Sequence, residues 1–254
     1  MTEQREVLAE FDAAGVLAGL RWAYVSATTR ALEDFSEADG HDAAWLGNTR
    51  FTLFRNRLDR VFHCERYAAP DEHDGLDELY ARLSERDIER MPRVAPGVVL
   101  RSNLNNSPGW AVGHRRFLLA AGEFGKLDDL SWGRRSGTKQ RVALQREPNP
   151  VQPSLFDDLG DSTRPLDLDT YVVAHSLDPV SRQAELIIGR PKPNAGGGPA
   201  WAWRADVLRA EQGASRRRTA AKPLSIAPDT APDAPVRLRA DRADHTDRAG
   251  AGER

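Results

Sequence analysis

Catalysis in this chain would have to begin with its histidines, its single cysteine and its carboxylates, so their spacing comes first. His63, Cys64 and Glu65 are consecutive, with His73 further on. Neighbours on a helix point about 100° apart, so His63 and Cys64 do not converge on one metal, and the ligand spacing of a zinc site is absent. Cys64 paired with His114 or His175 would be a thiol–imidazole couple, but the sequence around the cysteine is that of a small core residue. A metal-dependent nuclease would need clustered acids and a lysine two places beyond one of them on the same strand. Asp167, Asp169 and Glu185 supply acids, yet Ile187 stands where that lysine is required. Glu123 and Lys126 are spaced wrongly for one strand face. Gly196–Gly198 is followed by neither a lysine nor a helix start, so it is not a phosphate loop. No catalytic residue, metal or cofactor is expected.

Binding chemistry is easier to find. Lys126, Arg134, Arg135, Lys139, Arg141 and Arg146 surround Trp132. Such a cluster suits contacts to nucleic-acid phosphates, which supply affinity without reading sequence. Thr138 is placed to cap a short helix carrying Lys139 and Arg141 on one face. Immediately after comes Gln145–Asp161, "QREPNPVQPSLFDDLGD", in which prolines and acids surround one bare apolar pair, Leu155 and Phe156. A loop gains nothing by holding that pair in water, so it packs either on the protein's own core or in a partner's groove.

Within that stretch, Gln152-Pro153-Ser154-Leu155-Phe156 resembles the pentapeptide by which bacterial DNA polymerases, mismatch-repair proteins and accessory proteins bind the replicative sliding clamp. The resemblance implies that Gln152 hydrogen-bonds in a small polar pocket, that Ser154 permits a tight backbone turn, and that Leu155 and Phe156 fill an apolar groove. Pro153 departs from the pattern at a tolerant position. The motif covers these five residues and implies nothing about the fold.

Charge is unevenly spread. Residues 1–95 carry 12 Lys+Arg against 19 Asp+Glu, whereas residues 96–150 carry 9 against 4, so the basic cluster lies in a basic block of a chain whose net charge is only −2. Arginine outnumbers lysine 32 to 4, a bias that fits a GC-rich coding sequence and is not by itself a sign of nucleic-acid binding. No apolar run approaches the roughly 20 residues of a membrane span, and the acidic start is unlike a signal peptide. One cysteine forms no internal disulfide. A cytoplasmic protein without a membrane partner is expected.

The elements that must position these residues follow from periodicity. Leu8, Phe11, Val16, Leu20, Tyr24 and Leu32 recur at helical spacing, with Gly15 and Gly19 marking a break or a close helix contact. A second helix is expected over about 42–67, with Arg55, Arg57 and Arg60 snorkelling beside its apolar stripe in local ion pairs. A third is expected over "GLDELYARLSERDIERM". After Pro96 the pattern changes to short strands. "TYVVAHS" and "RQAELIIGR" predict an antiparallel hairpin. "AWAWRADVLRAE" predicts a short closing helix; as a strand it would put Trp201 and Trp203 on one face. Beyond about Ala214 there is too little apolar periodicity to fold alone.

The sequence therefore predicts an α+β protein: a helical bundle over 1–95, a small antiparallel β-rich unit over 96–213 interrupted by an exposed segment at 145–165, and a disordered tail over 214–254. The expected function is that of a non-enzymatic accessory protein of bacterial DNA metabolism, in replication, repair or defence, recruited to the sliding clamp and weakly to the DNA backbone. A divergent metal-dependent nuclease or other hydrolase, and a scaffold subunit of a multiprotein complex, are the alternatives.

Overall fold

Gly15 takes φ 74°, a left-handed conformation that favours glycine, and divides the first helical stretch into α1 (Thr2–Ala13) and α2 (Val16–Glu33). Gly19 serves the other expected purpose. A Cβ there would lie 2.7 Å from the ring of Phe62, so the missing side chain is what lets α2 approach the end of α3 (Ala43–Val61). The computed structural model describes residues 2–68, 76–145 and 166–209. The 214–254 tail and most of the 145–165 segment lie outside the described residues.

Asp42 caps α3, its Oδ1 accepting from the N–H of Trp45 at 2.7 Å. The helix stops at Val61 rather than near Tyr67, because His63 and Glu65 both adopt positive φ, at 52° and 54°. The third expected helix is two short ones, α4 (Leu76–Tyr80) and α5 (Glu85–Arg90), since Arg82 is left-handed and Ser84 caps a new start.

The sheet has six strands in sequential order: β1 (Leu100–Arg101), β2 (Gly109–Val112), β3 (Arg115–Ala121), β4 (Asp169–Leu177), β5 (Ala184–Pro191) and β6 (Trp201–Asp206). The protein is thus α+β, with N-terminal helices followed by a mostly antiparallel sheet. The β4–β5 hairpin is present in the expected place, with His175 opposite Leu186. β3 and β4 are parallel, Phe117 aligning with Tyr171. A parallel pair needs a crossover, and residues 122–168 provide it, including α6 (Gly137–Leu144).

The closing helix expected over 200–211 is replaced by β6, paired antiparallel with β5. Its register shifts where Arg190 faces Trp203 and Pro191 faces Trp201, leaving Ala202 as an extra residue. The bulge reverses the alternation, so Trp201 and Trp203 pack into different cores rather than on one face.

Both faces of the central strands are covered. On one, Phe11, Leu20, Tyr24, Phe54, Leu58 and Phe62 from the helices pack on Trp110, Phe117, Leu119, Tyr171, Val173, Leu186 and Ile188. On the other, Leu127, Leu130, Trp132, Val142 and Ala143 of the crossover pack on Leu118, Ala120, Val172, Ala174 and Ile187. Burial from both sides is why β3, β4 and β5 read as continuous apolar runs. The change of element type near residue 95 is real, and the first core runs straight across it.

Arg57 and Arg60 do not snorkel. They are buried, Arg57 Nε donating to Ser26 Oγ at 3.0 Å, and Arg60 donating to the carbonyls of Glu78 (2.9 Å) and Leu79 while its guanidinium lies 4.5 Å from the Tyr67 ring centroid. Carbonyls and a hydroxyl replace the local ion pairs, which satisfies the guanidinium inside the fold.

Candidate phosphate and partner interface on the crossover

The crossover begins at a tight exit from β3. A Cβ at Gly122 would sit 2.4 Å from Leu127 Cδ2, so only glycine lets the chain fold back over the strand. Two tryptophans then pin it. Trp132 Nε1 donates to the carbonyl of Ala200 at 2.5 Å, Trp201 Nε1 donates to that of Leu127 at 2.8 Å, and the two rings meet edge-on at 5.1 Å. Asn194 completes the anchor: its Oδ1 accepts from the N–H of Trp132 and its Nδ2 donates to the carbonyl of Leu130. Further along, α6 lays Val142 and Ala143 on the sheet.

Its last anchor is Gln145. The side-chain amide donates to the carbonyl of Thr170 at 2.6 Å and accepts from the N–H of Thr170 at 3.0 Å. This pair ties the end of α6 to the start of β4, so the described residues flanking 146–165 are held together. Gln152, Ser154, Leu155 and Phe156 of the clamp-like peptide, and Arg146 of the basic cluster, lie outside the described residues.

The five described cations of the basic cluster do not form one surface. Lys126 is exposed and paired with Glu123 at 2.6 Å, Arg134 is exposed, and Arg135 and Arg141 are half-buried. Lys139 is only 6 % exposed, and its amine has no hydrogen-bond partner among the described residues. Residues two apart on a helix point about 200° apart, so Lys139 turns inward and does not share a solvated face with Arg141. Thr138 is not the cap either. That position belongs to Ser136, whose side chain makes no capping bond, while Thr138 Oγ1 accepts from Asn105 Nδ2 at 3.3 Å. Burial, and secondarily the nearby charge of Arg135, push the Lys139 amine down to about 7.

The residues weighed for catalysis are placed elsewhere. Cys64 is buried, its thiol donating toward the carbonyls of Val99 and Phe62, and burial pushes it up to about 11, far from a thiolate at neutral pH. His175 is fully buried among Tyr24, Phe51 and Phe54, with ring centroids 5.7, 6.2 and 5.4 Å away. Neither ring nitrogen has a hydrogen-bond partner among the described residues. Burial first, and then the charge of Arg50, lower it to about 3, so it is a neutral core residue and not a base.

The acids are also occupied separately. Asp167 pairs with Arg116, and Glu185 accepts from Ser176 Oγ at 2.5 Å and from the N–H of Gly125 at 3.0 Å. Among the described residues, no group of three or more His, Cys, Asp or Glu side chains is arranged to hold a metal ion, and no helix is long and apolar enough to cross a membrane.

Sequence reasoning missed the burial of Lys139 and of His175. The available signal was local. Lys139 stands three before Val142 and four before Ala143, the spacing of one helix face, and His175 alternates with Val173 and Tyr171 on the core side of a strand. No protein family, no curated protein and no solved structure matches this chain.

Proposed function

We propose that this chain is a non-enzymatic accessory protein of bacterial DNA metabolism, acting in the cytoplasm in replication, repair or defence, and recruited to the sliding clamp through Gln152, Ser154, Leu155 and Phe156. The observation that carries this reading is the QPSLF sequence itself. Its place in the chain adds support. The motif falls within the β3–β4 crossover, between the Trp132–Trp201 anchor and the strand that Gln145 holds at Thr170. The described residues on either side, Gln145 and Thr170, are joined by two hydrogen bonds, so the sheet's register does not depend on what the motif contacts.

The energetics suit a reversible contact. Burial of a leucine and a phenylalanine and one glutamine hydrogen bond favour the contact, and ordering the peptide opposes it. A reversible contact of micromolar affinity or weaker is the expectation. The exposed Arg134 and the half-buried Arg135, on the same crossover as the motif, add weak attraction to the DNA that a clamp encircles, through effective concentration.

The test is fluorescence anisotropy of a labelled Glu147–Asp161 peptide with purified bacterial sliding clamp, beside the full chain and its Leu155→Ala/Phe156→Ala variant. Micromolar binding by peptide and chain, abolished in the double variant, is expected. Absence of binding up to about millimolar, where a contact of roughly −4 kcal/mol would register, would overturn the proposal.

A further inference from the structure

We infer that the groove between the end of α6 and the β5–β6 bulge is a docking site for this chain's own Leu155 and Phe156, which are thereby shared between this groove and that of a partner. The docking stands on the groove and on the path of the chain; the competition with a sliding clamp rests on the function proposed above.

Apolar residues make the groove. Ala143 of α6, Pro191 at the end of β5, Pro193 beyond it, and Trp201 and Ala202 of β6 line a shallow depression of about 380 Å³, together with the exposed Lys192. Its floor is preformed, because Trp201 is fixed by its bond to the carbonyl of Leu127 and by its edge-on contact with Trp132. Pro193 is half-buried and Ala202 exposed, so the groove opens to solvent. The two prolines carry no N–H that an apolar occupant would leave unpaired. Clefts for small ligands run from about 300 to 1,000 Å³, so this one suits two side chains of an extended peptide rather than the face of a folded protein.

Three observations select this chain's own segment as the occupant. The first is where the chain leaves and returns. Gln145, two residues after Ala143, is bonded to Thr170, and Val172 pairs with Gly189, so the start of β4 and the end of β5 that lines the groove share one end of the sheet. Phe156 stands 11 residues after Gln145 and 10 before Leu166, and either connection can span up to about 35 Å, ample for a groove at that end. The second is charge: Asp157, Asp158 and Asp161 follow the apolar pair, and Lys192 is the exposed cation of the groove. The third is composition. Pro148, Pro150 and Pro153 precede the pair, and proline-containing extended peptides are what aromatic-lined grooves accept.

Tethering decides how far the groove is filled. A short flexible tether presents the pair at an effective concentration of about 1 mM. A contact with a dissociation constant of about 0.1–1 mM between separate molecules then holds the pair for roughly half to nine-tenths of the time. A sliding clamp must compete for the same two side chains, so the chain's apparent affinity for it is lowered about two- to tenfold relative to the free peptide. The groove thus keeps Leu155 and Phe156 out of water when no clamp is near, and it raises the clamp concentration at which the protein is recruited.

The experiment uses the full chain as wild type, as Ala202→Arg, which fills the groove, and as Lys192→Glu, which repels the acids. Both positions are exposed, and each variant is checked for folding by circular dichroism. Phe156 is the only aromatic residue within 146–165, so limited chymotrypsin digestion, with the cut site identified by mass spectrometry, reads how often the pair is free. Cleavage at Phe156 about two- to tenfold faster in each folded variant than in the wild type is expected from the occupancy above. Equal rates in wild type and Ala202→Arg overturn the docking. A second arm measures clamp binding by anisotropy. The 147–161 peptide is expected to bind about two- to tenfold more tightly than the wild-type chain, and Ala202→Arg to match the peptide. Equal affinities of peptide, wild type and variant overturn the competition. If the peptide itself does not bind the clamp, the function proposed above fails, and the cleavage rates still decide the docking.

Discussion

Among the described residues, each face of the sheet buries a basic group whose nitrogens have no hydrogen-bond partner, His175 on one and Lys139 on the other, and the two are treated differently. On the helix face, His175 is enclosed by Tyr24, Phe51 and Phe54 at 0 % exposure, with the buried Arg50 as the charge acting on it. On the crossover face, Lys139 is 6 % exposed in the first turn of α6, with the half-buried Arg135 as the charge acting on it. An imidazole can shed its proton and persist as a neutral ring in an aromatic core. An alkyl amine starts from a higher value, so similar burial leaves Lys139 titrating at about 7 rather than about 3. The two faces therefore answer to pH in different windows.

The largest expected effect is on acid stability. A basic group whose folded pKa is depressed binds fewer protons folded than unfolded, so stability rises with pH across the gap between the two values. For His175 the gap runs from about 3 to 6.5. Its contribution is intact above pH 6.5 and falls by about 1.4 kcal/mol per unit below it, a loss over the window comparable to the lower end of ordinary domain stability. His175→Phe, which keeps a ring and gives up no hydrogen bond, is expected to flatten the urea-measured stability between pH 6 and 4. A variant with the wild-type slope would place the acid sensitivity elsewhere.

Lys139 tests the other face in a different window. Its amine titrates at about 7 folded and 10.5 unfolded, so the same sign rule makes wild-type stability rise from pH 7 toward pH 10. Replacing it by methionine, which fills similar space without charge, is expected to raise stability at pH 7 by about 1–3 kcal/mol and to remove the alkaline rise.

These two windows were not legible in the sequence, and the reason is the same for both. Periodicity shows which face of an element is apolar, and so the helices around Leu20 and Phe54 and the β4–β5 hairpin could be read from local pattern. It does not show that a sheet is covered twice. The parallel β3–β4 pair joins strands whose only link is the long crossover, and no residue in either announces the partner. Nor does "AWAWRADVL" announce a strand: alanine, arginine and leucine suit a helix, and only pairing with β5 and the bulge at Ala202 decide otherwise. Once the crossover covers the second face, a lysine at helix spacing from Val142 and Ala143 must go inside. The cation cluster was therefore legible as composition, while its division into surface arginines and one buried lysine belongs to the tertiary fold.

The smallest effects come from two glycines, one on each face, and they sharpen the contrast. Gly19→Ala would drive a methyl group to 2.7 Å from the Phe62 ring and 3.3 Å from Val61 Cγ1. Both neighbours are fully buried, so neither yields without disturbing the helix core, and a cost of about 1–3 kcal/mol is expected. Gly137→Ala meets nothing within 4 Å and needs no left-handed backbone. At the first residue of α6 it is expected to be neutral or to stabilise by up to about 1 kcal/mol through the restricted unfolded chain. Thermal unfolding of the two variants reads the difference directly. A loss in Gly19→Ala beside no loss in Gly137→Ala keeps the contrast between a glycine that permits a close helix contact and one that faces open space; equal losses would remove it.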